Sequence, residues 1–154
     1  MKLNIVLVNP EIPQNTGNVS RTCAVTGAAL HIIRPTGFEI SDRTLKRAGL
    51  DYWDKLEIYY YDSFDEFLAA NPDGEKYYFS SHATRSHTDP AYGNTVYLIF
   101  GRESVGLPPE LVTAAGNFAL RIPMRKTLRC LNLSNSVAIA AYEVLRQYGF
   151  EDMI

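Results

Sequence analysis

The chain has 154 residues, a length that suits one domain with a single sizeable core. Apolar residues make up 46% of it and charged residues 21%, as in ordinary soluble globular proteins, and a net charge of −2 excludes a global positive field that attracts nucleic acid. Cys23 and Cys130 form no C-x-x-C pair, so we expect reduced thiols and neither a disulfide scaffold nor a zinc knuckle. Residues 1–15 hold only a short apolar run, so we expect a cytoplasmic protein without a signal peptide or membrane partner.

Six runs of apolar and β-branched residues predict strands. They span residues 3–9, 30–35, 56–61, 77–81, 95–101 and 118–123. Several runs are apolar throughout, which is typical of strands that are covered on both faces in a parallel sheet.

Helical patterns lie between these strands. The first helix can begin with Thr16 or Asn18 as its cap and end at Gly27. The next begins with the capping-box pair Ser63 and Glu66.

Two further helices are predicted in the C-terminal third. Residues 107–116 carry prolines where a first helical turn tolerates them, and Gly116 ends the segment. The last helix is predicted from about Ser134 to Tyr148, with Gly149 as its C-cap. Its apolar face consists of Val137, Ala141, Val144 and Tyr148. Strands that alternate with helices predict one α/β domain over residues 1–154, with a mainly parallel sheet flanked by helices.

Several common motifs are absent. "GRESVG" has the glycine spacing of a phosphate loop, but Leu107 and Pro108 follow where that loop requires lysine and a hydroxyl residue. The same stretch has the pattern G-x-x-S-x-G, which is one residue longer than the G-x-S-x-G nucleophile elbow of hydrolases. It therefore gives little support to a hydrolase. The histidines His31, His82 and His87 show no metal-ligand spacing, so we predict no metal site and expect surface or hydrogen-bonded core histidines.

Three polar segments follow predicted strands. In the first, Asn15, Gly17 and Asn18 open a helix, and Arg21 follows one turn later on the same face. Such an arrangement is either a helix cap with a solvent-facing arginine or a phosphate site. These residues alone leave both interpretations open.

The second segment, residues 99–111, holds two glycines that allow a close main-chain approach, Gly101 and Gly106, with Glu103 between them. Glu103 could cap the next helix or accept hydrogen bonds from loop amides.

The third segment, residues 121–137, contains Asn132, Ser134 and Asn135 before an apolar run, so it is a helix cap, a ligand site or both. Ligands in open α/β sheets bind beyond the carboxyl ends of strands, so the three segments together favour one pocket.

Basic residues are concentrated in two places. Residues 121–129 hold Arg121, Arg125, Lys126 and Arg129 without an acidic residue, and Arg43, Lys46 and Arg47 form a second cluster. Charge alone favours solvated basic faces at both places.

The three segments together resemble a known family. N-x-G-N-x-x-R (residues 15–21), F-G-x-E-x-x-G-L-P (100–108) and I-P-M…L-N-L-S-N-x-V (122–137) are similar, in this order, to the motifs of the SpoU branch of the SPOUT methyltransferases. "NPEIPQNTGN" (9–18) and "RAGLDYW" (47–53) are similar to its tRNA (cytidine/uridine-34-2'-O)-methyltransferase subfamily.

This resemblance implies a parallel sheet whose C-terminal part forms a deep trefoil knot, which general topology rules make improbable. It implies that S-adenosylmethionine binds against the knot loops and is converted to S-adenosylhomocysteine. It also implies an obligate homodimer whose tRNA site spans both chains. The expected product is a 2'-O-methylated wobble nucleotide, C34 or U34, in the anticodon loop of certain leucine tRNAs.

The resemblance also assigns site residues. Cofactor contacts fall on Phe79, Gly101, Glu103, Ile122, Cys130 and Leu131. Catalytic roles fall on Arg21, Ser134, Asn135 and Tyr142. Because no RNA-binding domain is appended, we expect the core surface to bind RNA through Asn18, Arg125, Lys126 and Arg129. Cys130 replaces the serine of relatives, which matters only if a hydroxyl group holds the cofactor there.

No obvious general base accompanies the motifs. Their acidic residues are Glu11 and Glu103, and a guanidinium stays protonated, so it is a poor proton acceptor. We therefore expect Arg21 to hold the substrate phosphate and to favour charge on the attacking oxygen, while the proton leaves to phosphate, Ser134 or water. The alternatives are methylation of another tRNA or rRNA nucleotide, a catalytically silent RNA-binding dimer, and a hydrolase that uses Ser104 or Ser134.

Overall fold

The computed structural model describes residues 1–41, 53–128 and 130–154, and these residues form a seven-stranded sheet in the order β3-β2-β1-β6-β4-β7-β5. The strands are β1 (Lys2–Val8), β2 (Ala29–Ile33), β3 (Ile58–Tyr61), β4 (Glu75–Phe79), β5 (Arg85–Ser86), β6 (Thr95–Phe100) and β7 (Ala119–Arg121). Every pair of neighbouring strands is parallel. The α/β fold with a parallel sheet is therefore confirmed.

Four α-helices and two 3-10 turns connect the strands in the described ranges. They are α1 (Pro13–Thr26), α2 (Phe64–Ala70), α3 (Pro109–Ala115) and α4 (Leu133–Gln147), with turns at Trp53–Lys55 and Gly116–Phe118. None of the helices in these ranges is long and apolar enough to cross a membrane. The single domain over residues 1–154 and the trefoil knot stay predictions.

The sequence prediction was wrong about the start of α1. The helix begins at Pro13, and Ile12 occupies the N-cap position without a side-chain cap. Thr16 and Asn18 therefore lie inside the helix. Proline favours the first helical position because its φ is already helical and it has no N–H to satisfy. Gly27 ends the helix in the left-handed conformation, as predicted.

The other predicted helix ends agree with the structure in most details. Ser63 Oγ accepts a hydrogen bond from Glu66 N at 3.1 Å, whereas the Glu66 carboxylate accepts from Asp62 N instead of closing the box on Ser63. Gly116 caps α3 as predicted. At the end of α4 the C-cap is Tyr148, and Gly149 follows it in the left-handed conformation of a Schellman motif.

Helices cover both faces of the sheet. One face packs against α1 and α4, and its core includes Ile5, Leu7, Val19, Val137 and Val144. The opposite face packs against α2 and α3, and its core includes Val6, Val8, Ile99, Phe67 and Leu107. Burial on both sides explains why the strand runs are continuously apolar.

A polar network inside the second face involves His31, which is only 2% exposed. Its Nε2 lies 3.1 Å from Asn4 Oδ1, and its Nδ1 lies 3.0 Å from the Tyr61 hydroxyl. Asn4 Nδ2 donates to Val96 O, so Asn4 Oδ1 is the acceptor. Nε2 of His31 must therefore carry the proton, and Nδ1 accepts from Tyr61. His31 is a hydrogen-bonded core histidine, as predicted.

Acidification is expected to destabilise the protein through His31. Burial lowers the pKa of His31 from 6.5 to about 4. Between these values the unfolded chain binds a proton at His31 and the folded chain does not, so the free energy of unfolding falls as the pH drops through this window. The loss is at most about 3 kcal/mol. Urea unfolding between pH 7 and 4.5 measures it, and a His31→Phe variant whose stability falls as steeply as the wild type's would contradict the assignment.

Candidate functional site

The three motif segments leave the same edge of the sheet. Residues 9–12 follow β1, residues 101–107 follow β6, and the segment from Ile122 follows β7. Because all described strand pairs are parallel, these segments lie at the carboxyl ends of the strands. β1 and β6 are direct neighbours, and β4 separates β6 from β7. Ligands of open α/β sheets bind at this edge.

Glu103 joins the second segment to the first. Its Oε2 accepts a hydrogen bond from Glu11 N at 2.7 Å, and its Oε1 accepts from Ile12 N at 3.2 Å and from Asn15 Nδ2 at 3.4 Å. Of the two roles left open by the sequence, Glu103 therefore has the second, because it binds loop amides instead of capping the next helix.

Glu11, in the first segment, accepts hydrogen bonds from the second segment in turn. Its Oε1 accepts hydrogen bonds from Ser104 N at 3.0 Å and from Ser104 Oγ at 2.6 Å. These bonds, with a smaller contribution from the Arg102 charge, hold the pKa of Glu11 below its ordinary value. We call this reciprocal arrangement of Glu11, Glu103 and Ser104 the carboxylate clasp. Hydrogen bonds to charged acceptors are stronger than neutral ones, so the clasp fixes the two loops against each other.

Asn15 and Asn132 extend the network to the third segment. Asn132 Nδ2 donates to Asn15 Oδ1 at 2.9 Å, and Asn15 is 5% exposed. Asn132 Oδ1 accepts from Ser134 Oγ at 2.6 Å and from Asn135 N at 3.2 Å, which makes Asn132 the N-cap of α4. One continuous set of hydrogen bonds thus connects all three segments.

The predicted catalytic residues differ in their exposure to solvent. Ser134 is buried, whereas Arg21, Asn135 and Tyr142 are exposed. Arg21 lies on α1, and Tyr142 lies on α4, which packs beside α1. Of these four residues, Ser134 and Asn135 are bonded to the hydrogen-bond network of the three segments, through Ser134 Oγ and the main-chain N–H of Asn135.

The predicted cofactor residues lie along the same edge. Phe79, at the end of β4, is buried and stacks on Phe100, at the end of β6, with ring centroids 4.7 Å apart. Ile122 is half-buried, and Cys130 and Leu131 are exposed. Gly101 and Glu103 belong to the loop that the carboxylate clasp holds.

The predicted RNA-binding residues Asn18, Arg125 and Lys126 are exposed. Arg129 lies outside the described residues, as does the second basic cluster of Arg43, Lys46 and Arg47.

No described contact supports the alternative chemistries. Ser104 is bonded to Glu11 and Ser134 to Asn132, so neither serine has a histidine partner in the described ranges. Within these ranges, no group of three or more histidine, cysteine, aspartate or glutamate side chains could hold a metal ion.

The geometry agrees with a family comparison. A model of the SpoU rRNA Methylase family matches residues 2–142. This chain belongs to the SpoU rRNA methylase family. The resemblance of its three motifs to the SpoU branch is thereby confirmed.

Individual SpoU relatives match over nearly the full chain. A relative from Geobacillus stearothermophilus is 49% identical, with 99% of each chain covered, and its name gives tRNA (cytidine(34)-2'-O)-methyltransferase as a provisional assignment. A relative from Burkholderia cenocepacia that bears this name without qualification is 45% identical, with 96% of this chain and 97% of the relative covered. A solved structure described as giving insights into the 2-OH methylation of C/U34 on tRNA is 45% identical, has a TM-score of 0.89, and is matched over 97% of this chain and 98% of its own.

A more distant SpoU methyltransferase, from Streptomyces viridochromogenes, was solved in complex with the cofactor AdoMet. It is 22% identical and has a TM-score of 0.83, with 96% of this chain and 58% of that chain covered. At this identity the likeness shows a common fold.

Two site features were missed at the sequence level. The role of Glu11 depends on Ser104, which is 93 residues away, and no local pattern marks such a pair. Asn15 was singled out only as part of a helix start, although its amide connects Glu103 with Asn132. The N-x-G-N motif was the available signal for Asn15.

Proposed function

We propose that this protein transfers the methyl group of S-adenosylmethionine to the ribose 2'-hydroxyl of the wobble nucleotide, C34 or U34, of tRNA. The observation that carries the proposal is that hydrogen bonds connect the three SpoU motif segments at one edge of the sheet. The names of the relatives that share this architecture support the substrate and the position. We propose leucine isoacceptors as substrates and the cytoplasm as the location.

The residues at the edge fit the cofactor. Residues 122–128 lie outside helices and strands, and the only main-chain hydrogen bond that the structure describes within them is Leu128 N to Arg125 O at 3.1 Å. We infer that main-chain groups of this loop bind the adenine ring. We propose that Ile122, Cys130 and Leu131 hold the adenosine through this loop. Phe79 would support it, and Gly101 and Glu103 would shape the adjoining wall.

The reacting hydroxyl must lose its proton as it attacks. S-adenosylmethionine supplies a sulfonium methyl group and leaves as a neutral thioether, so no acid is required at the leaving group. Holding both substrates together supplies much of the rate. Arg21 would hold the phosphate and favour negative charge on the attacking oxygen.

Ser134 is placed to assist. Asn132 Nδ2 donates to Asn15, so Asn132 Oδ1 is an acceptor and Ser134 Oγ must donate to it. Because the Ser134 hydroxyl proton is used in this bond, the lone pairs of Ser134 Oγ can accept a hydrogen bond from the substrate hydroxyl. Ser134 would orient the hydroxyl through this hydrogen bond, and the proton would pass to the substrate phosphate or to water.

We also propose that a second copy covers the exposed face formed by α1 and α4. Ile139 and Tyr142 on α4 are 40% and 43% exposed, and Val25 on α1 is also exposed. Large apolar side chains that share a face mark an interaction surface. Pairing through this face would bring Asn135, Tyr142 and Arg21 into the interface. Light scattering of the purified protein tests the dimer, and a monomer at micromolar concentration would contradict it.

The function is tested with purified protein, S-adenosylmethionine and unmodified tRNA. Mass spectrometry of nuclease fragments should find one added methyl group on the ribose of nucleotide 34. A tRNA with a single 2'-deoxy nucleotide at position 34 is the matched control and should gain none. A methyl group on a base, or on another tRNA or rRNA nucleotide, would overturn the wobble assignment.

Arg125 and Lys126 are expected to contact tRNA phosphates. Replacing either by alanine should weaken tRNA binding several-fold and reduce the slope of log K against log salt by about one. Filter binding between 50 and 200 mM salt measures both effects. Lys2→Ala is the control, because Lys2 is also charged and exposed but lies at the opposite, amino end of β1, where it pairs with Glu57. Unchanged affinity and slope in both variants would remove these residues from the RNA site.

A further inference from the structure

The loop of residues 101–107 has a fixed shape. Arg102 and Gly106 form an antiparallel bridge, and Gly106 N donates to Arg102 O at 2.8 Å. A Cβ on Gly101 would lie 2.0 Å from the main-chain carbon of Gly106, so the two ends of the loop are in close contact. The loop is therefore a tight hairpin at the carboxyl edge of the sheet.

The carboxylate clasp uses one side of this hairpin. Glu103 accepts from Glu11 N and Ile12 N, and Ser104 donates two hydrogen bonds to Glu11. Leu107 is buried in the core. The side chains that remain at the surface are those of Arg102 and Val105, and Val105 is 72% exposed.

Neither exposed side chain is explained by the fold. An exposed valine on a constrained hairpin contributes nothing to the core, and no ion pair involving Arg102 is found among the described residues. The Arg102 charge is close enough to lower the pKa of Glu11. Glu11 already accepts two hydrogen bonds from Ser104, so Arg102 is not needed to satisfy it.

We propose that residues 101–107 are an RNA-docking surface of the enzyme, in which the Arg102 guanidinium binds a tRNA phosphate and Val105 packs against a neighbouring base. This inference rests on the proposed function. The planar guanidinium matches phosphate oxygens in pairs. A main chain that is fixed before binding lowers the entropy cost of docking. Anticodon-loop bases are unpaired and present faces on which a side chain can pack.

The surface adjoins the site that it would serve. Glu103, between Arg102 and Val105 in the hairpin, is bonded to Asn15, and Asn15 is bonded to Asn132 beside Ser134. A phosphate held at Arg102 would therefore fix the anticodon loop relative to the residues proposed to act on its ribose.

The test compares Arg102→Ala, Arg102→Lys and Val105→Ser in the full-length protein. Affinity is measured by fluorescence anisotropy of a labelled anticodon stem-loop RNA at several salt concentrations. Arg102→Ala should raise the Kd about five- to twenty-fold and reduce the salt slope by about one. Arg102→Lys should recover part of the affinity, and Val105→Ser should raise the Kd without changing the slope. S-adenosylmethionine binding, measured by calorimetry, should be unchanged in all three, and Lys2→Ala should match the wild type throughout.

The outcomes separate this proposal from the proposed function. If the wild type methylates nucleotide 34 and Arg102→Ala binds RNA within twofold of it with the same slope, the docking surface is overturned and the function stands. If the wild type transfers no methyl group to tRNA, both are overturned. Light scattering tests a second copy of the chain as the occupant, because a weakened dimer with unchanged RNA affinity in Val105→Ser would assign the surface to protein and overturn the proposal.

Discussion

Replacing Arg21 by alanine is expected to lower kcat about 10²- to 10³-fold while the affinity for S-adenosylmethionine stays within twofold of the wild type. The size of the effect is that of removing one charged donor from a developing oxyanion. Arg21 is exposed on α1, and the described hydrogen bonds that connect the three motif segments run through Glu103, Asn15 and Asn132. Because these bonds do not use the Arg21 side chain, we expect the cofactor loops to stay in place in Arg21→Ala.

The experiment combines single-turnover rates at saturating tRNA with calorimetry. Arg21→Lys keeps the charge but loses the planar fork, so its rate should lie between those of the wild type and Arg21→Ala. Lys2→Ala, which removes an exposed cation at the opposite, amino end of β1, is the control and should turn over normally. Near-normal turnover in Arg21→Ala with intact cofactor binding would exclude a catalytic role.

The sequence predicts the architecture well because a parallel sheet buries both faces of its strands. Six of the seven described strands appear as apolar runs. The exception is β5 (Arg85–Ser86), which has two polar residues and is recognisable only by its pairing with β7. The start of α1 was placed too late because its N-terminus has no side-chain cap, and the amides that precede it are bonded by Glu103.

The candidate site was predictable in its composition but not in its contacts. The motifs identify Glu103, Asn132 and Ser134 as polar residues near strand ends, yet their partners lie as far as 117 residues away. Which amide a carboxylate accepts from depends on how the loops pack, and this information is absent from local patterns. Arg102 and Val105 were passed over for the same reason, since only the packed hairpin shows which of its side chains remain exposed.

Asn132 shows that stability and function share the same bonds here. Its Oδ1 caps α4, and its Nδ2 binds Asn15. The polar cluster at residues 132–135 is therefore both a helix cap and part of the site. Substitutions in the network should consequently change cofactor affinity and the free energy of unfolding together, whereas Arg21→Ala should lower the rate and the tRNA affinity but not the affinity for the cofactor.

Gly101→Ala is expected to have the largest effect on both the cofactor affinity and the free energy of unfolding. The added Cβ would lie 2.0 Å from Gly106 C and 2.1 Å from Leu107 N. Both neighbours are main-chain atoms, so no side chain can move aside. The hairpin must open, which breaks the Arg102–Gly106 bridge and pulls Glu103 away from the first segment. We expect a destabilisation of about 3–5 kcal/mol, a fall in Tm of roughly 10 °C, and at least about a tenfold loss of S-adenosylmethionine affinity.

Gly27→Ala is the control that isolates the close approach. Gly27 has a φ of 74°, but a Cβ there would meet nothing within 4 Å. Its replacement should cost only about 1 kcal/mol of conformational strain, and cofactor affinity should be unchanged because it lies at the far end of α1. Thermal unfolding and calorimetry of the two variants distinguish steric overlap from strain. A Gly101→Ala protein that melts within 2 °C of Gly27→Ala and binds the cofactor as tightly would show that the hairpin is not needed to build the site.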